Sequence, residues 1–189
     1  LYAGDIATAK QDVDAIPDEI ESGDDSESGN EAPESNYSRR NAPPIDSLIK
    51  DGEELMVQVS REPIASKGPR LTTQIGLAGR YLVYLPHLDH IGIARRLEDP
   101  KERDRLLAIG KTLHPEKGGL IIRTVAEGRD ETEMRQDLDF LLRLWADIEK
   151  RSKSSSLGSI IHKELNPYLR VMRDYVDSEI GRASCRERG

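Results

Sequence analysis

An apolar stripe between residues 130 and 150 constrains the fold of this chain more than any other feature of its sequence. The stripe consists of apolar residues three or four positions apart, namely Met134, Leu138, Leu141, Trp145 and Ile148. This spacing predicts one continuous face of an α-helix, and Asp130 with Glu133 fits a capping box at its start. Acid–base pairs four residues apart are expected on the outer surface, namely Glu131 with Arg135 and Asp139 with Arg143. Such a helix has to pack its apolar face against a second layer.

Several strands predicted upstream of this helix supply that layer. The β-branched run at residues 120–125 is typical of a buried strand. Alternating apolar residues predict a strand at residues 54–59. Residues 71–75 and 80–85 are predicted as a second and a third strand, the latter ended by Pro86. Strands that are followed by helices place the chain in the α+β class.

Two further helices are predicted, at residues 100–113 and 169–176, and the second of them is amphipathic. No apolar run approaches the roughly 18 residues that a membrane-spanning helix needs, and no signal peptide is recognisable. Cys185 is the single cysteine, which excludes a disulfide framework and a thiolate metal site. The expected location is therefore the cytoplasm, with no membrane span.

An acidic segment near the start of the chain lies outside this pattern. Residues 11–35 hold ten of the 35 acidic residues and no Lys or Arg, so the remainder has 28 basic against 25 acidic residues and a net charge of +3. Like charges repel, and little apolar surface offsets the loss of chain entropy, which predicts a disordered acidic insertion over residues 11–44. An acidic mimic of RNA that covers a basic surface is the alternative. The mildly basic remainder is compatible with RNA binding.

The Arg123-Thr124 pair is the strongest candidate for binding an anion. A guanidinium can donate two parallel hydrogen bonds to a phosphate, and a neighbouring hydroxyl can add another. The alternative is that Arg123 pairs with a nearby carboxylate such as Glu127, as exposed strand-end arginines commonly do. Arg95 and Arg96 form a second basic pair that suits backbone phosphates. No catalytic triad, paired-carboxylate motif or zinc-ligand spacing is recognisable in the sequence.

Four sequence blocks resemble the ribonuclease E/G family in their order and spacing. They are Ser66-Lys67-Gly68-Pro69-Arg70-Leu71-Thr72-Thr73, Leu77-Ala78-Gly79-Arg80-Tyr81-Leu82-Val83, Gly92-Ile93-Ala94-Arg95-Arg96 and Gly119-Leu120-Ile121-Ile122-Arg123-Thr124. Asp137-Leu138 through Trp145 and Arg173-Asp174-Tyr175 extend the match, which covers residues 45–180 with a weaker likeness at residues 1–6. Four ordered blocks are a far more specific signal than any one of them.

The resemblance implies a domain order. Residues 1–73 would be a partial OB-fold RNA-binding domain that carries the acidic insertion, residues 74–168 a mixed α/β 5′-sensor domain, and residues 169–180 the start of a ribonuclease H-like domain. The first strands of the OB-fold are missing, so residues 1–73 would form an incomplete β-barrel. Residues 181–189 resemble one translated frame of a sequencing adapter and are expected to be non-native.

The resemblance also implies a function. The family consists of endoribonucleases that cut single-stranded RNA in A/U-rich regions, prefer a 5′-monophosphate, and take part in rRNA and tRNA processing and mRNA decay. These enzymes form homo-oligomers and use Mg²⁺ bound by aspartates that have no counterpart in this sequence, so no catalytic or metal residue is assigned. By the family's pattern, the 5′-phosphate would be bound by Arg123, Thr124, Gly79, Val83 and Arg95, and RNA would also contact Lys67 and Arg96.

Two other functions are open at this point. A stand-alone adaptor would bind 5′-monophosphorylated RNA without cutting it. A module for a phosphorylated metabolite would bind no RNA at all. The dependence of binding on salt distinguishes the metabolite module from both RNA-binding functions, because RNA affinity falls steeply as the salt concentration rises.

Overall fold

The computed structural model describes Ile6, residues 45–64 and residues 68–176. Two short antiparallel strands come first, β1 (Gln58–Arg61) and β2 (Arg70–Thr72). A four-stranded sheet follows, made of β3 (Leu77–Ala78), β4 (Leu82–Leu85), β5 (Ile91–Ile93) and β6 (Gly119–Ile122). The α-helices of the described ranges are α1 (Pro100–Leu113), α2 (Glu131–Ser152) and α3 (Pro167–Tyr175). This mixture of strands and helices confirms the predicted α+β class.

The four-stranded sheet has the strand order β3-β4-β6-β5. Its first three members are antiparallel neighbours, with Leu82 opposite Ile122 and Val83 opposite Ile121. β5 is parallel to β6, and α1 forms the crossover that a parallel connection requires. The start of β4 and the ends of β5 and β6 therefore lie at one edge of the sheet.

Both faces of the two central strands, β4 and β6, are buried, which explains why β6 is apolar without alternation. The side chains in the main core with α1 and α2 are Leu82, Tyr84, Leu120 and Ile122. The side chains in a second apolar cluster on the other face are Val83, Leu85 and Ile121. Full burial of each Leu, Ile or Val stabilises the fold by roughly 1.5–3 kcal/mol.

α1 and α2 form as their sequences predict. α1 spans the predicted residues, and in α2 all five residues of the apolar stripe are buried. The Asp130 side chain caps α2 by accepting a backbone N–H of the first turn at 2.9 Å. The predicted Glu131–Arg135 ion pair is present, with an N–O distance of 2.6 Å. The other predicted pair is wrong, because Arg143 donates to the main-chain oxygen of Asp139 and not to its carboxylate.

The strand predicted at residues 54–59 is wrong over most of its length, because only residues 58 and 59 of it belong to a strand. β1 begins only at Gln58. The alternating apolar residues of this segment are each more than a third exposed, namely Leu55, Val57 and Val59. The intervening Met56 is the residue that packs against the main core. Alternating residues are buried only on the face of the segment that packs against a second layer. Here the main core packs against the face that carries Met56, so Leu55, Val57 and Val59 remain exposed.

The remaining predicted strands are shorter than expected. β2 ends at Thr72 instead of residue 75, β4 begins at Leu82 instead of residue 80, and β6 ends at Ile122 instead of residue 125. β4 begins late because the preceding residues form a turn, in which the Gly79 N–H donates to the Leu82 carbonyl at 2.8 Å. β6 ends where its partner strand stops, and Thr124–Ala126 form a short 3-10 helix.

α3 forms where an amphipathic helix was predicted, yet none of its residues is buried. The Asn166 side chain caps its start by accepting the Leu169 N–H at 2.9 Å. Its apolar side chains are therefore largely exposed, in contrast to those of α2. None of the helices in the described ranges is long and apolar enough to cross a membrane.

Some sequence predictions fall outside the described residues. The acidic insertion at 11–44 and the non-native segment at 181–189 are among them. Between residues 45 and 73, the described strands are β1 and β2, and two paired strands do not identify an OB-fold. The OB-fold and the domain boundaries at residues 73 and 168 stay predictions.

Candidate functional site

Three segments meet at the sheet edge where β4 begins and β5 and β6 end. The Arg123 N–H donates to the Tyr81 carbonyl at 2.9 Å, and the Ala94 N–H donates to the Ile122 carbonyl at 2.8 Å. These bonds join residues 79–81, 94–96 and 123–124, which we call the polar edge. The polar edge contains most of the residues predicted to bind phosphate or RNA, namely Gly79, Arg95, Arg96, Arg123 and Thr124.

Arg123 is the one buried charged residue in the described part of the chain, at 7% exposure. Its Nη1 donates to the carbonyls of Gly79 at 2.7 Å and Arg80 at 3.0 Å. Its Nη1 and Nη2 also donate to the two carboxylate oxygens of Asp174, at 3.0 and 3.3 Å. The alternative in which Arg123 pairs with a carboxylate is therefore confirmed, but the partner is Asp174 of α3 and not the nearby Glu127.

Arg123 has further N–H donors that could bind an anion. All four of its hydrogen bonds use Nη1 or one hydrogen of Nη2. Within the described ranges, the Nε–H forms no hydrogen bond. A guanidinium has five N–H groups in a fixed plane, and Nε with Nη2 can bind an anion side-on. The acceptors on Nη1 and Nη2 thus hold the Arg123 guanidinium in one orientation. The side of the guanidinium formed by Nε–H and the second Nη2 hydrogen is left without a partner among the described residues.

Asp174 supplies the negative charge that a buried guanidinium needs. Arg173 also donates to this carboxylate, from Nε at 2.9 Å, and its Nη1 donates to the Ala78 carbonyl at 2.8 Å. Burial is the largest single influence on the pKa of Asp174 and raises it. The hydrogen bonds from Arg173 and Arg123 together outweigh burial, so the pKa of Asp174 lies below its ordinary value. Asp174 is therefore ionised at neutral pH.

Asp137 of α2 fixes the turn that precedes β4. Its carboxylate accepts the backbone N–H groups of Arg80, Tyr81 and Leu82 at 3.1, 2.8 and 3.0 Å. A Cβ on Gly79 would lie 2.5 Å from both carboxylate oxygens of Asp137. Glycine is thus required at position 79 to make room for this carboxylate, a reason that the sequence did not suggest. This turn also positions the carbonyls of Gly79 and Arg80 that accept hydrogen bonds from Arg123.

Val83 and Thr124 flank Arg123 in different ways. Val83 is fully buried in the second apolar cluster, opposite Ile121. Ile121 and Arg123 are two residues apart, so their side chains lie on the same face of the sheet. Val83 lies opposite Ile121 and therefore shares that face with Arg123. Thr124 is half-buried at the start of the 3-10 helix, and its hydroxyl forms no hydrogen bond with the described residues. That hydroxyl therefore has its donor and acceptor capacity available beside Arg123.

Arg95 and Arg96 are exposed on the turn that follows β5. The Ala94 carbonyl before them accepts a hydrogen bond from Arg103 of α1 at 3.1 Å, which ties this turn to the helix. Lys67, predicted to contact RNA, lies outside the described residues. Within the described ranges, no group of three or more His, Cys, Asp or Glu side chains could hold a metal ion.

Sequence reasoning included Asp137 and Asp174 in the family resemblance but assigned neither of them a role at the polar edge. Asp137 directly precedes the stripe residue Leu138, and an acid at the border of an apolar helix face is a signal that could have found it. Asp174 lies 51 positions from Arg123, and nothing in the local pattern of either segment connects them. Their pairing depends entirely on how α3 lies against the sheet.

Comparison with known proteins reveals extensive similarity. Residues 76–188 match a family described as the ribonuclease E/G family. Ribonuclease G of Escherichia coli strain K12 is 41% identical over 138 residues, and ribonuclease G of Haemophilus influenzae is 40% identical over 136 residues. Ribonuclease E of Escherichia coli strain K12 is 37% identical over 147 residues.

The matched regions cover most of this chain but a small part of each relative. The matches span 73%, 72% and 77% of this chain, in the order given above. They span 28% of each ribonuclease G and 14% of the ribonuclease E. The chain thus corresponds to about a quarter of the length of the curated ribonuclease G relatives.

Proposed function

Since this chain belongs to the ribonuclease E/G family, we propose that it is the RNA-binding, 5′-monophosphate-sensing part of a single-strand-specific endoribonuclease. The whole protein would hydrolyse RNA in rRNA and tRNA processing and in mRNA decay, as a homo-oligomer. Its relatives are named ribonuclease G and ribonuclease E, which supports RNA as the substrate class. Arg123, Thr124, Gly79, Val83 and Arg95 are the proposed residues of the phosphate site, and Lys67 and Arg96 would contact the RNA.

The observation that carries this proposal is the orientation of Arg123. Four acceptors hold its guanidinium by Nη1 and Nη2, and its Nε–H has no partner among the described residues. A terminal phosphate monoester could accept side-on from Nε and Nη2 and also accept from the Thr124 hydroxyl. A fixed guanidinium loses little conformational entropy on binding, which favours affinity.

Charge explains why a 5′-monophosphate would be preferred to a 5′-hydroxyl. A phosphate monoester carries about −1.5 to −2 charges at neutral pH and three acceptor oxygens, whereas a hydroxyl end carries no charge. Each hydrogen bond to a charged group contributes roughly 1.5–3 kcal/mol. Two such bonds from Arg123 would contribute at least about 3 kcal/mol, more than the roughly 1.4 kcal/mol that a tenfold preference requires.

Hydrolysis itself would use Mg²⁺, which can activate water and stabilise charge at phosphorus. The described residues bring no three potential ligands together. None of them is assigned as a magnesium ligand, and their proposed part is to bind and orient the 5′ end of the RNA.

The test measures affinity for two RNAs of one sequence that differ only in a 5′-monophosphate or 5′-hydroxyl. We expect the 189-residue chain to prefer the monophosphate by at least about tenfold, and Arg123→Lys to lose most of that preference, because lysine keeps the charge but not the planar donor pair. Arg135→Lys, on the outer face of α2, is the matched control. Equal affinity of the unmutated chain for both RNAs would contradict the proposal.

A further inference from the structure

Two arginines in or next to the polar edge have no acidic partner among the described residues. They are Arg80, in the turn before β4, and Arg170, on α3. The Nε atom of each is buried and has no hydrogen-bond partner, and these are the only such side-chain atoms among the described residues. Neither guanidinium lies within ion-pair distance of a carboxylate in that part of the chain. Buried donors are nearly always satisfied in folded proteins, so this pair requires an explanation.

Arg80 lies directly next to the proposed phosphate-binding arginine. Its own carbonyl accepts from Arg123 Nη1, and its Nη1 donates to the Val176 carbonyl at 2.7 Å, just beyond the end of α3. Its guanidinium carbon lies 5.1 Å from the centre of the Tyr81 ring. These contacts fix the Arg80 guanidinium between the polar edge and the last turn of α3.

Arg170 lies on the face of α3 that meets the sheet. It precedes Arg173 and Asp174 by three and four positions, which places the three side chains on one helix face. That face is identified by the bonds of Arg173 to the Ala78 carbonyl and of Asp174 to Arg123. Arg170 is itself partly buried. Its charge is therefore held near the polar edge rather than in open solvent.

The negative groups nearby do not balance these arginines. Asp174 is shared by Arg123 and Arg173, and the Asp137 oxygens accept three backbone N–H groups. Glu164 is about half exposed and lies 3.5 Å from Arg173. Among the described residues, Arg123 and Arg173 thus pair with carboxylates, whereas Arg80 and Arg170 do not.

We propose that Arg80 and Arg170 bind a second phosphate of the RNA, a backbone phosphodiester next to the terminal phosphate on Arg123. This rests on the proposed function and deepens it, because it extends the site for the terminal phosphate into a short track along the RNA strand. The Nε atoms themselves are enclosed by the protein, so a phosphodiester would accept from the outer Nη groups of the two guanidiniums and supply the negative charge that no described carboxylate gives them. The competing explanation is structural, with Arg80 stabilising the C-terminal end of α3 through the Val176 carbonyl.

The dependence of RNA affinity on salt separates these two explanations. For single-stranded RNA, the slope of log affinity against log salt falls by about 0.7 for each phosphate contact that is lost. We expect Arg80→Gln and Arg170→Gln each to weaken binding and to reduce this slope, since charge is removed from a phosphate contact. Arg80→Lys and Arg170→Lys, which keep the charge, should retain most of the slope. A purely structural role would lower the affinity and leave the slope unchanged.

The measurement uses 5′-hydroxyl RNA and the 189-residue chain, so that it does not depend on the 5′-phosphate. Arg135→Gln is the control for removing an arginine from the outer face of α2, where Arg135 pairs with Glu131. Slopes of Arg80→Gln and Arg170→Gln that equal that of Arg135→Gln would overturn the inference, as would absence of RNA binding with retained binding of inorganic phosphate. Reduced slopes without any preference for a 5′-monophosphate would support this inference and contradict the proposed 5′-end sensing.

Discussion

Helices α2 and α3 are both amphipathic, yet they are attached to the sheet by different forces. α2 buries Met134, Leu138, Leu141, Trp145 and Ile148 against the sheet. α3 buries no residue, and its exposed apolar side chains are Tyr168, Leu169, Val171, Met172 and Tyr175. It is attached through polar contacts, in which Asp174 bonds to Arg123, Arg173 bonds to Ala78 and Arg80 bonds to Val176.

The difference suggests that α2 has a structural role, whereas the position of α3 depends on pH, salt and bound anions. Apolar burial is non-directional and depends little on pH or on salt. Hydrogen bonds and ion pairs are directional, and charge on either partner changes them. An anion that binds at the polar edge would therefore affect α3 while leaving α2 in place. Mutations and pH changes can test whether the two helices differ in this way.

The largest expected effect concerns the core beneath α2. Leu141 is fully buried, and Leu141→Ala should lower the free energy of unfolding by about 2–5 kcal/mol, because it removes apolar contacts and leaves a cavity. Met172 of α3 is 55% exposed, so Met172→Ala should change that free energy by less than about 0.5 kcal/mol. Urea unfolding followed by the fluorescence of Trp145 measures both. Equal losses in the two variants would show that α3 is also held by apolar packing.

A smaller effect is expected at the turn before β4. Gly79→Ala should lower the free energy of unfolding by about 1–3 kcal/mol, because the new Cβ would overlap the Asp137 carboxylate. In an Asp137→Ser background the same substitution should cost less than about 1 kcal/mol, since the overlapping oxygens are gone. A double-mutant cycle by thermal or urea unfolding measures the coupling. Full additivity of the two substitutions would show that Asp137 is not the reason for glycine.

The smallest effect is local and depends on pH. The pKa of Asp174 lies below its ordinary value, so its ion pair contributes fully above the unfolded pKa of about 3.9. That contribution is lost as pH falls through the lower pKa of the folded state. The amides of α3 should then lose protection from hydrogen exchange in the acid range, while those of α2 keep theirs. In Asp174→Asn the protection of α3 should already be reduced at neutral pH.

Glu164 is the matched control for this pH effect, because it also contacts Arg173 and is more exposed than Asp174. Glu164→Gln should leave the acid-dependent loss of α3 protection in place, since it keeps the bonds between Asp174 and both arginines. Loss of α2 and α3 protection at the same pH would contradict the proposed difference between the helices.

Much of the fold follows from local sequence pattern. The stripe of α2, its Asp130 cap and the bounds of α1 were predictable, because helix periodicity and capping involve residues within a few positions of one another. Strand bounds were less predictable. β6 ends at Ile122 because its neighbour β4 turns away, and that neighbour lies almost 40 residues earlier in the chain. Leu55 illustrates the same limit, since its exposure depends on a layer that the local pattern does not specify.

The candidate site shows the same division. Arg123 and Thr124 were found in the sequence, first as a possible anion site and then through the resemblance to a family. The partner of Arg123 was not found, because Asp174 belongs to a different helix. Gly79 was named for a phosphate site, while the structure gives it a further role as the space for Asp137.

By itself, the sequence determined the helices, the apolar strand β6, the order of the family's blocks and the identity of the central arginine, because each depends on neighbouring residues or on a linear pattern. Only the tertiary structure decided which groups surround that arginine. Asp137 and Asp174 come from two helices, and the buried Nε atoms of Arg80 and Arg170, which have no partner among the described residues, are recognised only once the chain is folded. The physical reason is that burial and pairing of charge depend on distances in space, which residues far apart in sequence set together.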